Sequence, residues 1–138
     1  MSPAPYYFYR FKDPTEVEPF DPGLKIVGAL QKEYDLRCVD AESGIYEYPR
    51  KGRVLVLKWL ENEVSIGGRD MPPEQWAVEF LYDVLIRTQT VLMCPDAPEW
   101  CTATESQIAK APNEIVEIIE NLDQLLIWFG VWPESGQS

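Results

Sequence analysis

The clearest pattern of apolar and polar positions runs from Arg53 to Arg87. Val54 to Leu57 is apolar at every position, which is typical of a strand buried on both faces of a sheet. Gly67-Gly68 ends the next short strand, and Pro72-Pro73 precedes a segment whose apolar residues recur at helical spacing. That segment predicts a helix with a broad apolar face: Trp76, Ala77, Phe80, Leu81, Val84 and Leu85. We therefore expect a central strand, a corner, and a helix that docks on the sheet.

The first half of the chain shows strand and helix patterns in turn. Residues 6–11 are dense in aromatic side chains of high β propensity and predict a first strand. Asp21 followed by Pro22 is a helix start, and one apolar stripe continues from there to Tyr34. Residues 36–41 and 45–48, separated by turn residues, predict a hairpin. Residues 64–66 predict a short strand that returns beside the central one.

The second half predicts two further strands and a third helix. Residues 90–94 and 99–105 have strand character and lie on either side of a proline-containing loop. Asn113 is placed to cap a helix that ends at Gly130. The apolar stripe of this helix is the most regular in the chain: Ile115, Ile118, Ile119, Leu122, Leu125, Leu126 and Phe129.

Together these elements predict one α+β domain over residues 1–138, with a folded core at 6–133 and a frayed tail at 134–138. The expected order is β-α-β-β-β(β)-α-β-β-α. The sheet should be curved and mainly antiparallel, and the three helices should pack mostly on one of its faces.

Composition narrows the classes of function. The chain has 23 acidic and 12 basic residues, no histidine, and a formal net charge of −11. Such a field repels phosphate backbones and anionic membranes and attracts basic proteins, so we expect no binding to nucleic acid or to membranes. The N-terminus lacks a signal-peptide pattern, and no apolar run is long enough to span a bilayer. We expect a cytoplasmic protein of bacterial type with reduced thiols.

No pattern indicates a catalytic, cofactor-binding or metal-binding site. Without histidine, acid-base chemistry would need paired carboxylates. Glu61 with Glu63, and Asp96 with Glu99, are such pairs, although two acids in one turn are also common in solvated loops.

Cys94 and Cys101 flank a six-residue loop. If their sulfurs met across a hairpin, they would suit a redox pair or a soft metal ion. Two half-buried thiols in neighbouring strands fit the same spacing better, because no histidine or second cysteine pair accompanies them.

A recognition surface is the remaining candidate. The chain carries more aromatic side chains than one face of a small sheet can bury, and aromatic residues beside acids suit protein binding. The aromatic residues concerned are Tyr6, Tyr7, Tyr9, Tyr46, Tyr48, Trp59 and Trp100. We expect the partner-binding residues to be Trp59, Glu61, Glu63, Asp96, Glu99 and Trp100.

The leading hypothesis is a non-enzymatic acidic module, of the immunity or inhibitor type, that neutralises a basic toxin or enzyme by protein-protein contact. Without the first strand, the predicted element order and the acidity resemble the class I type III secretion chaperones. That resemblance implies a dimeric protein that binds effector segments, and it is the alternative hypothesis. A small carboxylate-dependent enzyme is the third.

Overall fold

The computed structural model describes residues 6–68, 74–94, 99–112 and 116–131 of the chain. Within them lie nine strands: β1 (Tyr6–Asp13), β2 (Glu16–Glu18), β3 (Arg37–Asp40), β4 (Ile45–Arg50), β5 (Arg53–Trp59), β6 (Val64–Gly68), β7 (Val91–Met93), β8 (Trp100–Thr102) and β9 (Val116–Ile118). The same residues form four α-helices: α1 (Lys25–Tyr34), α2 (Gln75–Thr88), α3 (Ser106–Lys110) and α4 (Leu122–Trp128). The predicted α+β class is confirmed.

All nine strands belong to one sheet, with the order β3-β4-β5-β6-β1-β7-β8-β9 and with β2 paired to β1. The pairs are antiparallel except β8 with β9, which are parallel. The N-terminal strand β1 lies in the middle of the sheet, between β6 and β7. It therefore joins the meander β3-β4-β5-β6 to the C-terminal strands, and the mainly antiparallel sheet is as predicted.

The main core lies between one face of the sheet and the helices α1, α2 and α4. A smaller apolar cluster of Phe11, Val91 and Ala111 lies apart from it, next to α3. The side-chain amide of Gln107 in α3 accepts a hydrogen bond from the Phe11 N–H (2.7 Å) and donates one to the Phe11 carbonyl (3.0 Å). Gln107 thus pairs with β1 as a neighbouring strand would.

The prediction that β5 is buried on both faces is wrong. Its side chains alternate: Leu55, Leu57 and Trp59 are buried in the main core, whereas Val56 is 44% exposed and Lys58 is exposed. The helices cover only the first set, because successive side chains of a strand point to opposite faces. We call the other side of β4, β5, β6 and β1 the open face.

The prediction of one long third helix is also wrong. Residues 116–118 form strand β9, and a separate helix α4 begins at Leu122. The β-branched residues before Glu120 favour a strand, and this preference outweighs the helical spacing of their apolar positions. Asn121 then starts α4, because its side-chain oxygen accepts the Gln124 N–H at 2.9 Å.

Several smaller elements also differ from the expectation. Strand β2 forms in a predicted connection, and α3 is a short helix that the apolar pattern does not indicate. Helix α1 begins only at Lys25, because Gly23 (φ 72°) and Leu24 (φ 55°) adopt left-handed conformations within the 3-10 turn Pro22–Leu24 that precedes it. The predicted corner at Pro72-Pro73, the Asn113 cap and the tail at 134–138 lie outside the described residues.

The buried carboxylate of Asp21 connects α1 to the sheet. Its Oδ1 accepts the Ile26 N–H (2.7 Å), and its Oδ2 accepts the Val27 N–H (3.2 Å) and the indole N–H of Trp59 (2.8 Å). The backbone N–H of Asp21 donates to the Glu61 carbonyl at 3.1 Å. One side chain therefore caps the helix and fixes the end of β5 beside it.

We predict that Asp21→Asn lowers the free energy of unfolding by about 2–3 kcal/mol, because a neutral amide accepts fewer and weaker hydrogen bonds from the same three donors. Urea denaturation followed by tryptophan fluorescence measures this change. Asp123→Asn removes an exposed carboxylate from α4 and is the matched control, with an expected change within about 0.5 kcal/mol. Equal stability of the two variants would contradict the role assigned to Asp21.

Candidate functional site

Trp59 cannot be a contact residue, so its assignment to the partner-binding set is corrected. Its side chain is fully buried on the helix-covered face of β5, and its indole N–H donates to Asp21. The alternation of β5 places residue 59 on the same face as Leu55 and Leu57. Trp59 is part of the core.

Glu61 and Glu63 lie close in sequence but contact different elements. A carboxylate oxygen of Glu61, which is exposed, accepts the Gly23 N–H at 2.8 Å. Glu63 is half-buried and accepts the hydroxyl proton of Tyr9 across the sheet. Burial, together with this hydrogen bond to Glu63, raises the pKa of Tyr9 above its usual range. Each acid holds a structural partner, and the two do not form a paired-carboxylate site.

Trp100 belongs to a row of aromatic rings that follows β1. Tyr7 and Tyr9 stack at 6.4 Å, Tyr9 and Phe11 lie 6.3 Å apart, and the Trp100 ring is parallel to Phe11 within 8° at 6.2 Å. Of the predicted contact residues, Trp100 thus ends this aromatic row, and Glu63 contacts Tyr9 within it. The predicted residue Glu99 is exposed next to Trp100, and Asp96 lies outside the described residues.

The open face carries charges of both signs. Lys58 is exposed on it, and Arg37 forms a hydrogen-bonded ion pair with Glu47. These charges therefore include both signs, and the aromatic rings of the row contact one another.

Cys94 and Cys101 do not pair. All three cysteines are free, and Leu92 is the residue opposite Cys101 in the β7-β8 register. Cys101 is buried in the main core, and this burial raises the pKa of its thiol well above the usual range. The half-buried Cys94 lies two residues beyond that register position, so the two thiols are not directly opposite each other and no disulfide joins them.

A different surface combines apolar exposure with acids. The described residues include six large apolar side chains that are exposed: Val39, Val56, Ile86, Ile108, Ile118 and Ile127. Ile86, Ile118 and Ile127 line two clefts of about 490 and 390 Å³ that meet at Ile118 and Ile119. We call the two clefts together the isoleucine groove.

Three elements build the isoleucine groove. Ile86 lies on the side of α2 opposite its buried residues, Ile118 lies at the end of β9, and Ile127 lies on the outer side of α4. Ile119 and the half-buried side chains of Tyr82 and Trp128 complete its apolar lining. These side chains come from separate parts of the chain, so folding has to bring them together.

The charged residues that line the groove are all acidic. Glu105 and Glu120 line the larger cleft, and Glu117 lines the smaller one. All three are exposed, and none forms an ion pair within the described part of the chain. No lysine or arginine is among the described residues that line the groove. The groove is therefore an apolar depression in a negative field.

The isoleucine groove was not predicted, because the helical spacing of the sequence places Ile118 in the buried stripe of a long helix. Two local signals indicate otherwise. The run Val116-Glu117-Ile118-Ile119 is β-branched around one acid, and Asn121 with Gln124 is a helix-capping pattern. Together they separate a strand from a helix and leave Ile118 outside the helical stripe.

Comparisons with models of known protein families, with curated proteins and with solved structures gave no match. Among the described residues, no three or more cysteine, aspartate or glutamate side chains lie close enough together to hold a metal ion. No helix in the described ranges is both long and apolar enough to cross a membrane.

We predict that the thiols differ sharply in reactivity. Cys38 is exposed on β3 and should react with Ellman's reagent at once at pH 8. Cys101 should react only as fast as the protein opens, because burial keeps it protonated and out of contact with the reagent. Comparing the wild type with Cys38→Ser and with Cys94→Ser, before and after denaturation, assigns the three signals. Fast labelling of Cys101 in the folded protein would contradict its placement in the core.

Proposed function

We propose that this chain is a non-enzymatic acidic protein-binding module of the inhibitor or immunity type, whose partner is a basic protein bound at the isoleucine groove. The observation that carries the proposal is the groove itself, where three exposed isoleucines lie beside three glutamates that have no described cation partner. Exposed apolar surface rimmed by polar residues is typical of an interaction site.

The apolar and acidic parts of the groove have different roles. Full burial of an isoleucine side chain contributes about 1.5–3 kcal/mol relative to leaving it exposed. The three groove isoleucines are 38–55% exposed, so a partner that covers one of them gains roughly half of that amount. An exposed ion pair contributes about 0–1 kcal/mol. Affinity therefore comes mainly from covering Ile86, Ile118 and Ile127. The acids select a basic partner and speed its approach, and the net charge of −11 extends that attraction beyond the groove.

We predict that replacing the groove acids, as in the triple variant E105Q/E117Q/E120Q, slows association with the partner by about tenfold at low salt and by much less at high salt. The partner is first captured from extracts of the source cells on the immobilised wild-type protein. Surface plasmon resonance against the purified partner then gives the association rates.

The matched control is E16Q/D35N/E42Q, which removes three exposed acids elsewhere and changes the net charge by the same amount. This control should bind nearly as fast as the wild type. If the association rate falls by the same factor in both triple variants, only the total charge matters and the groove is not the site. If no basic protein is retained by the wild type at either salt concentration, the proposed function is wrong.

A further inference from the structure

Strand β9 lies at the end of the sheet, and its residues Glu117 and Ile118 line the isoleucine groove. Within the described residues β9 pairs only with β8. The Ile119 N–H donates to the Thr102 carbonyl at 2.8 Å, so residue 119 directs its N–H toward β8. Because successive peptide groups of a strand point to opposite edges, the N–H and C=O of Ile118 point away from β8. No described residue pairs with them.

The side chains around this edge match an extended segment. Glu117 pairs in register with the buried Cys101, so it lies on the helix-covered face of the sheet. There it lines the smaller cleft together with Ile127 and Trp128 of α4. A strand added beside β9 would direct alternate side chains into this cleft, because side chains alternate between the two faces.

We propose that the basic partner binds by adding a strand to the edge of β9, using an extended segment in which apolar residues alternate with lysine or arginine. This inference rests on the proposed function and specifies how the groove is occupied. The main-chain groups of Ile118 would pair with the segment, and its apolar side chains would cover Ile127 and Trp128. Its cations would point to the opposite face of the sheet, the side of Ile118, and would approach Glu120, which lines the larger cleft together with Ile118. A bound helix would leave the edge of β9 unpaired, because its own main-chain groups are already hydrogen-bonded.

A second copy of this chain fits the edge poorly. Two β9 strands paired antiparallel around their midpoints would place Glu117 opposite or next to its own counterpart, and like charges across a strand pair are destabilising. Each copy also carries a net charge of −11. The occupant is therefore a basic segment of another protein.

The test uses defined peptides with the full-length protein. The parent probe is a heptapeptide of alternating lysine and valine, capped at both ends. A second peptide has the same composition, but its valines recur at helical spacing. Its affinity shows whether a bound helix is preferred to a bound strand. Two further peptides carry N-methyl groups, one on every valine amide and the other on every lysine amide. In a strand these two sets of amides point to opposite edges, so only one methylated peptide can still pair with β9.

Binding is followed by amide resonances in two-dimensional NMR, and hydrogen exchange of the Ile118 amide is measured with and without peptide. We expect the parent peptide to bind more tightly than the helix-patterned one. One methylated peptide should bind about tenfold more weakly than the parent, and the other should bind as tightly as the parent. Exchange of the Ile118 amide should slow by a similar factor at saturation.

The possible outcomes distinguish strand addition from the proposed function. If the parent binds and depends on the groove acids, but neither methylation matters or both matter equally, strand addition is wrong and the proposed function stands. An unchanged exchange rate at Ile118 would likewise contradict strand addition alone. Tighter binding of the helix-patterned peptide also overturns strand addition. If no cationic peptide binds at the groove, the proposed function fails with it.

Discussion

The fold depends on the buried carboxylate of Asp21. A charge in the interior is costly unless hydrogen bonds compensate it, and here two helix N–H groups and the Trp59 indole do so. The same residue therefore fixes the direction of α1 and the inward orientation of Trp59. On the other side of Trp59, Gly44 (φ +70°) lies so close that a Cβ would meet the Trp59 carbonyl oxygen at 2.3 Å. The end of β5 is thus held from both sides.

This anchoring explains why the two surfaces of the molecule differ in character. With Trp59 turned inward, the helices α1, α2 and α4 cover one face of the sheet, and the other face keeps its aromatic row and charges of both signs. The exposed apolar groups beside acids are left at the far edge, where β9 meets α2 and α4. The proposed groove therefore lies away from the end of β5 that Asp21 anchors.

Much of the fold follows from the sequence because its local signals agree with the tertiary context. In α2 a broad apolar stripe coincides with the face that is buried, and in β1 high β propensity coincides with a central position in the sheet. The features that the sequence does not predict depend on contacts between residues far apart in the chain. Val56 is as apolar as Leu57, and only the absence of a covering helix among the described residues leaves it exposed. Ile118 fits a helical stripe in the sequence, but β pairing with Thr102 decides its conformation.

The candidate site was even harder to predict from the sequence than the fold. The acidity and the surplus of aromatic residues are visible in the sequence, yet the aromatics pack strands together and Trp59 lies in the core. Side chains that look suited to recognition are often required for packing, because large rings fill a small core efficiently. A contact surface is better indicated by apolar residues that the fold fails to bury although neighbouring apolar residues are buried. Ile118 beside the buried Ile119 is such a case, and within the described ranges its strand β9 pairs on one side only, with β8.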